Sequence, residues 1–302
     1  MMKSEGANMQ ILLIVLIILL MVLIGTSFIY PLMRKVLLYF ILVSVAVIML
    51  LPFYMMFVMS TLATNEIYSF PPIMFFGSNL VRNFKNMVAA VNIPRAFFNS
   101  LFVASANTFL VLVFCSMGGY AFSVYDFPGK NKLFAILLGT MMIPFTAGII
   151  PWFIMMSKFG WINNYAALII PGSANAFGIF WMRQYCQNNI PRSIMEAARV
   201  DGCSEWTIFF RIFTPILKPA YASLGIMQFV NVWNEFTQAL LIMRKESFYT
   251  IPLLLKSMVS DRGTDYGALM LASTCAVLPL LICYLFASKY FMDGLTAGAV
   301  KE

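Results

Sequence analysis

Long uninterrupted apolar runs constrain this chain more than any other feature of its sequence. A helix needs about 20 residues to cross a hydrocarbon core of about 30 Å. The chain is 61% hydrophobic and 11% charged, far from the roughly 45–50% and about 25% of soluble domains. A membrane β-barrel would instead show alternating segments of about 10 residues. The sequence therefore predicts an all-α polytopic membrane protein. The apolar windows lie near residues 11–30, 36–59, 98–122, 133–156, 165–185, 219–243 and 267–290.

Several classes of function are excluded by residues that the chain lacks. It contains no histidine, which excludes Ser-His or Cys-His catalysis and histidine-ligated metal. The Gly129-Lys130 pair lacks the surrounding residues of a P-loop, so the chain cannot bind ATP through such a motif. The net charge of +8 is not gathered into a basic cluster, and we expect no nucleic-acid partner. No catalytic residue, metal site or cofactor is predicted within this chain.

One segment concentrates charge in an otherwise apolar sequence. Residues 195–220, MEAARVDGCSEWTIFFRIFTPILKPA, carry six charged side chains. Helix signals predict a first helix over 193–200, with Asn189 as a capping residue and Asp201-Gly202 as its stop. Ser204 is predicted to cap a second helix over 205–213 that ends at Thr214-Pro215. Ile194, Ala197 and Ala198 share one face by helical spacing. A helix–glycine–helix elbow between apolar windows has the shape of a docking element.

The spacing within this elbow resembles the EAA loop of ABC importer permeases. In that pattern a glycine follows the glutamate by six residues, and an isoleucine and a Leu-Pro pair follow the glycine. The matching residues are Glu196-Ala197-Ala198, Gly202, Ile212 and Pro215. The chain departs from the pattern at Thr214, where leucine is usual.

Further stretches extend the resemblance over residues 36–302. They are similar, in order, to the carbohydrate-type permeases of the maltose-permease group. The stretches are SFPP (69–72), FFNSLFVASANTF (97–109), YAFSVYDFPGK (120–130), FGIFWMRQY (177–185), NNIPRSIMEAARVDG (188–202), VWNEF (232–236) and GLTAGAVKE (294–302).

The resemblance implies a six-helix ABC importer transmembrane domain over residues 33–302, with its cytoplasmic coupling loop at about 188–218. Residues 1–32 form an extra N-terminal hydrophobic segment outside the resemblance. Three interpretations of that segment stay open: a seventh span, an uncleaved anchor, or a misassigned start.

The resemblance also implies partners. These permeases pair with a second homologous permease, dock two ATPase subunits that bind ATP and Mg, and receive a sugar or oligosaccharide from an extracytoplasmic solute-binding protein. The expected location is the cytoplasmic or inner membrane of a bacterium or archaeon, as a multi-pass protein in contact with lipid.

Within the coupling loop, the resemblance assigns roles to individual residues. Glu196 is the candidate for a charge contact with the ATPase, and Ala197 and Ala198 permit close packing. Asp201 and Gly202 make the elbow. Ile212 and Pro215 return the chain to the membrane.

Polar side chains inside the apolar windows are the candidate substrate path. A carboxylate in a span costs about 3 kcal/mol near its centre, so Glu235 should face a cavity or a partner. Sugars bind through hydrogen-bonding groups and aromatic faces. The candidate residues are Asn107, Asn231, Trp233, Asn234 and Glu235. Each of them also fits an ordinary interhelical hydrogen bond.

Two other classes of function compete with the importer. A stand-alone ion-coupled secondary transporter would show coupling carboxylates or matched broken helices, and we find one convincing intramembrane acid. A membrane-embedded enzyme is disfavoured because no nucleophile–base pair is present without histidine.

Overall fold

The computed structural model describes residues 31–260 and 263–299, which contain helices, turns and loops and no β-strand. The all-α prediction is confirmed. The predicted N-terminal segment 1–32 lies outside the described residues except for its last two positions.

The α-helices, numbered in chain order from α1 to α15, span Pro31–Met59, Thr64–Ile67, Leu80–Ala90, Ile93–Val124, Lys130–Thr140, Phe145–Lys158, Ala166–Ile169, Ala176–Asn189, Arg192–Val200, Glu205–Thr207, Thr214–Ile216, Lys218–Trp233, Thr237–Ile242, Ile251–Ser257 and Tyr266–Ala299.

Two described helices are long and apolar enough to cross a membrane unaided. They are α1, from Lys35 to Met59, and α4, Ile93–Val124. The predicted windows at 36–59 and 98–122 are therefore confirmed as continuous helices. The pair α5 and α6 passes the same test together but is bent by 92°.

Three other predicted windows are not continuous helices, and local chemistry explains each break. The window at 133–156 bends before Pro144, which caps α6 in extended conformation and has no N–H for a continuing helix. The window at 165–185 is interrupted by turns around Pro171-Gly172. The window at 219–243 breaks after Trp233, where the Glu235 carboxylate accepts the backbone N–H of Gln238 at 2.8 Å.

Helix α4 is the centre of the described fold and packs against α8 and α12. Glycines allow α8 to approach closely. A Cβ on Gly119 would lie 2.5 Å from Met182 Cβ, and one on Gly178 would lie 2.6 Å from Cys115 Sγ. A buried cluster of Cys115, Met182 and neighbouring apolar residues fills this contact. Helix α15 packs against α12, α1 and α3 on another side.

The two ends of α4 define two faces of the molecule. At its first turns, Asn99 Nδ2 donates to the carbonyls of Ser247 and Tyr249, at 3.1 and 2.9 Å. Asn163 ties another loop to the same face by accepting the backbone N–H of Arg244 at 2.7 Å. The elbow lies at the opposite end, beside the last turns of α4.

The α4–α8 contact generates a stability prediction. We expect Gly119→Leu to lower the melting temperature of the detergent-solubilised protein, because overpacking a close contact costs about 1–3 kcal/mol. Gly139→Leu is the matched control, since a Cβ there would meet no atom within 4 Å beyond its chain neighbours and the backbone of its own helix. Equal melting temperatures for the two variants in a thermal unfolding assay would contradict this packing.

Candidate functional site

The first limb of the elbow is helix α9, Arg192–Val200, as the sequence predicts apart from its cap. Asn189 does not cap it, so that prediction is wrong. Asn189 is the last residue of α8, and its Nδ2 donates to the Tyr185 carbonyl one turn back at 2.9 Å. Pro191 takes the capping position instead, in an extended conformation with ψ of 133°. A proline suits this place because the N–H that it lacks would have no helical partner.

A glycine break ends α9. Gly202 adopts φ of +79°, a left-handed conformation that costs other residues roughly 1–2 kcal/mol. Its N–H donates to the Arg199 carbonyl at 3.0 Å, and the Cys203 N–H donates to the Ala198 carbonyl at 3.0 Å. These bonds satisfy carbonyls at the helix end, as in a Schellman-type cap.

The second limb is longer and less regular than predicted. Ser204 caps it, with its Oγ accepting the Thr207 N–H at 3.3 Å. A wide π-helical turn then spans Ile208–Phe213, and α11 follows over Thr214–Ile216. The predicted end at Thr214-Pro215 is therefore wrong. Pro215 stands in the first turn after the change of helix type, where a missing N–H is tolerated.

Thr214, the departure from the EAA pattern, carries a cost that the structure identifies. Its Oγ1 is buried and has no hydrogen-bond partner among the described residues. An unsatisfied buried hydroxyl costs about 1–3 kcal/mol. A leucine at this position would avoid that cost.

The elbow has an anchored side and an exposed side. Met195 and Ala198 of the first limb are buried, as are Ile208 and Phe213 of the second. These four residues belong to the cluster that includes the end of α4.

The three residues that the sequence predicts on one face of α9 do not share one environment in the structure. Ile194 and Ala197 are exposed, whereas Ala198 is buried with Met195. The inward face of α9 therefore runs through Met195 and Ala198, one position away from the predicted stripe. Among the other predicted coupling residues, Glu196, Asp201, Gly202 and Pro215 are exposed and Ile212 is half-buried.

Glu205 joins both limbs of the elbow to the end of α4, a role that sequence reasoning missed. Its carboxylate accepts Arg199 Nε at 2.7 Å, the Tyr120 hydroxyl at 2.8 Å and the Tyr125 hydroxyl at 2.5 Å. Hydrogen bonds from Arg199 and then Tyr125 lower the pKa of Glu205 to about 2. We call this set of four residues the Glu205 clamp. No short motif marks it, because its members are up to 85 residues apart.

A polar cavity of about 330 Å³ lies in the apolar body of the protein. It brings together Asn107, Asn231 and Glu235 from the predicted substrate path. It does not include Trp233, which is buried against Phe97 and Phe229. The polar residues that line it are Asn107, Asn175, Gln228, Asn231, Glu235, Gln238 and Thr250. Asn175, Gln228, Gln238 and Thr250 were absent from the sequence-based set.

The remaining predicted residue, Asn234, is also outside the cavity lining. It is exposed, and its Nδ2 donates to the Val230 carbonyl at 3.0 Å. Asn234 and Asn231 thus form a natural pair for comparison, one outside the cavity and one lining it.

Part of the cavity wall is already hydrogen-bonded within the protein. Asn107 Nδ2 donates to the Ile169 carbonyl at 2.8 Å, and Gln228 Nε2 donates to Asn107 Oδ1 at 2.8 Å. Thr250 Oγ1, in contrast, is buried without a partner among the described residues. The lining offers carboxamides, a hydroxyl and one carboxylate, and no lysine or arginine. This chemistry suits a neutral polyhydroxylated ligand.

Comparison with known proteins places the fold and the sequence in one family. Residues 32–296 match the family described as binding-protein-dependent transport system inner membrane component. The arabinooligosaccharides transport system permease protein AraQ of Bacillus subtilis is 40% identical over 68% of this chain and 73% of its own length. The lactose transport system permease protein LacG of Rhizobium radiobacter is 32% identical over 87% of this chain and 95% of its own length.

A solved structure shares the fold. One chain of a bacterial ABC transporter involved in the import of the acidic polysaccharide alginate superposes with a TM-score of 0.75 and 23% identity. The match covers 88% of this chain and 98% of that one.

The Glu205 clamp generates a prediction about local order. We expect Glu205→Gln to increase hydrogen–deuterium exchange across residues 192–213, because the charged bonds to Arg199 and two tyrosines are weakened. The exposed Glu196→Gln is the control and should leave exchange unchanged.

The same clamp predicts a pH response. The pKa of Glu205 in the folded protein is about 2, below the ordinary value of 4.5. The stability that the ionised Glu205 carboxylate contributes is therefore fully present above about pH 4.5 and is lost as the pH falls toward 2. Exchange in the elbow should therefore be equal at pH 7 and pH 5 after correction for intrinsic rates. A marked loosening at pH 5 would exclude the clamp.

Proposed function

The chain belongs to the family of binding-protein-dependent transport system inner membrane components, and we propose that it is the permease subunit of an ATP-driven importer of sugars or oligosaccharides. It is a transport subunit and not an enzyme, since ATP hydrolysis in such systems lies in separate subunits. The proposed partners are a second homologous permease, two ATPase subunits and an extracytoplasmic solute-binding protein. The proposed location is a bacterial or archaeal cytoplasmic or inner membrane, which the chain crosses several times.

The anchored elbow is the observation that supports ATPase coupling best. A docking element must transmit force, so one side has to be fixed and the other free. The inner side is fixed by Ile208 and Phe213, which are 0% exposed, and by the Glu205 clamp. The outer side presents Glu196, Ala197 and the 87% exposed Val200. In the proposed importer, the ATPase contacts this outer side and its closure moves the elbow as a unit.

The polar cavity supports a sugar as the transported molecule. Carboxamides and hydroxyls bind sugar hydroxyls with good geometry, and a single carboxylate accepts further hydrogen bonds from them. The absence of lysine and arginine from the described lining favours neutral sugars over uronic acids, whose carboxylates Glu235 would repel. Magnesium and ATP would be bound by the partner subunits. Family membership removes the support for a stand-alone secondary transporter.

Elbow geometry should be required for coupling. We expect Gly202→Pro to abolish substrate-stimulated ATP hydrolysis by the assembled importer, because proline cannot adopt φ of +79°. Gly160→Pro is the matched control: Gly160 has φ of +70° and its N–H also donates at 3.0 Å, but it lies near the opposite face.

We expect Glu196→Lys to weaken the contact with the ATPase while leaving membrane insertion intact. Normal coupling in both Gly202→Pro and Glu196→Lys would refute the assignment.

Cavity residues should affect transport more than neighbours outside the cavity. We expect Asn231→Ala to lower the uptake rate of the neutral sugar about fivefold in proteoliposomes, the effect of one lost hydrogen bond worth about 1 kcal/mol. Asn234→Ala removes the same group outside the lining and should have little effect. Equal effects of the two substitutions would argue against this cavity as the path.

A further inference from the structure

A second recess, rich in cations, lies where α4 and α8 end and α5 and α9 begin. It encloses about 540 Å³ and is separate from the polar cavity. We call it the basic recess. Its charged lining residues are Lys130, Lys132, Arg183, Arg192 and Asp126. This recess is on the elbow side of the molecule, because Arg192 is the first residue of α9.

The charges in the basic recess do not balance. Asp126 pairs with Arg192 Nη1 at 2.9 Å and with Lys130 Nζ at 3.1 Å. Arg183 and Lys132 have no ion pair among the described residues. Four cations against one carboxylate leave a formal excess of three positive charges around one opening.

Arg183 is held in place without an anionic partner. Its guanidinium carbon lies 3.9 Å from the centroid of the Phe134 ring, a cation–π contact that fixes its position. Its Nε donates to the Phe122 carbonyl at a long 3.4 Å. The remaining guanidinium N–H groups are therefore available to an acceptor in the recess.

The first turn of α5 adds backbone donors at the same place. Its N-cap, Gly129, provides no side-chain cap. The N–H groups of Asn131 and Lys132 have no carbonyl within the helix to pair with. These donors and the positive end of the helix dipole favour an anion there.

An apolar surface continues directly from the basic recess. Leu133 and Ile136 of α5 are 51% and 66% exposed, and they follow Lys132 along the same helix. An anionic phospholipid satisfies both surfaces, because it combines an anionic head with apolar tails. An inorganic phosphate ion or a single acidic side chain would satisfy only the recess.

We propose that the basic recess binds the phosphate-bearing headgroup of an anionic phospholipid, with the acyl chains along Leu133 and Ile136. This site is separate from sugar transport and does not depend on which substrate is carried. Because Arg192 and Asp126 contribute to the recess, a bound headgroup contacts both the α4–α5 loop and the first residue of the elbow.

The test measures lipid retention by the complete importer. The complex is reconstituted in nanodiscs of phosphatidylcholine with a minority of phosphatidylglycerol, released, and analysed by native mass spectrometry. We expect retained phosphatidylglycerol to exceed its share of the nanodisc. Lys132→Gln and Arg183→Gln should each lower that retention about fivefold, the effect of one cation near an anionic lipid. Lys132 is exposed, so its substitution should not disturb folding.

Matched controls and alternative occupants decide the outcome. Lys85→Gln removes an exposed cation of α3 and should leave retention unchanged. Retention that is equal in wild type, Lys132→Gln and Arg183→Gln would overturn the proposal. Displacement of the lipid by millimolar inorganic phosphate would identify a free-phosphate site instead. Cross-linking of Lys132 to an acidic residue of the ATPase, with no lipid retained, would identify a protein interface instead.

Discussion

Every backbone N–H and C=O group inside hydrocarbon needs a partner, and the structure of this chain depends on how its helix breaks meet that requirement. Lipid offers no hydrogen bonds, so a broken helix is tolerated only where side chains, backbone turns or water in a cavity replace the missing bonds. Asn107 donates to the Ile169 carbonyl beside the break before α8. Asn175 accepts the Gly178 N–H at 2.7 Å and Glu235 accepts the Gln238 N–H at 2.8 Å. The polar cavity lies among these breaks because the side chains that stabilise them are polar.

Helix α4 connects the cavity to the elbow. Asn107 lines the cavity and Tyr120 contacts Glu205 in the clamp. By helical rise the two positions are separated by about 20 Å. In the proposed importer, a displacement of the elbow is passed to the cavity wall along this unbroken helix, without a flexible linker between them. Helix α8, which packs closely against α4 at Gly119, is capped at its N-terminus by Asn175, another residue that lines the cavity.

Features that depend on local pattern are predictable from this sequence, whereas features that depend on distant contacts are not. The helices over 36–59 and 98–122 follow from uninterrupted apolar runs, and the break at Gly202 follows from local helix-stop chemistry. The breaks in three other windows were missed because hydropathy averages over prolines and capping carboxylates. The Glu205 clamp and the placement of Trp233 in the core were not predictable by spacing, since they join residues far apart in sequence. Thr214, unexplained by the sequence, is a buried hydroxyl without a described partner.

Direct contact between the elbow and an ATPase subunit is the central claim of this account. Site-specific photo-cross-linking from position 197, in the assembled complex in membranes, tests it most directly. Ala197 lies on the exposed side of α9, so a photoreactive residue fits there without disturbing the anchored side. We expect a cross-linked product that contains the ATPase subunit, with none formed from position 160 near the opposite face. Cross-links from position 197 to lipid or to the solute-binding protein alone would contradict it.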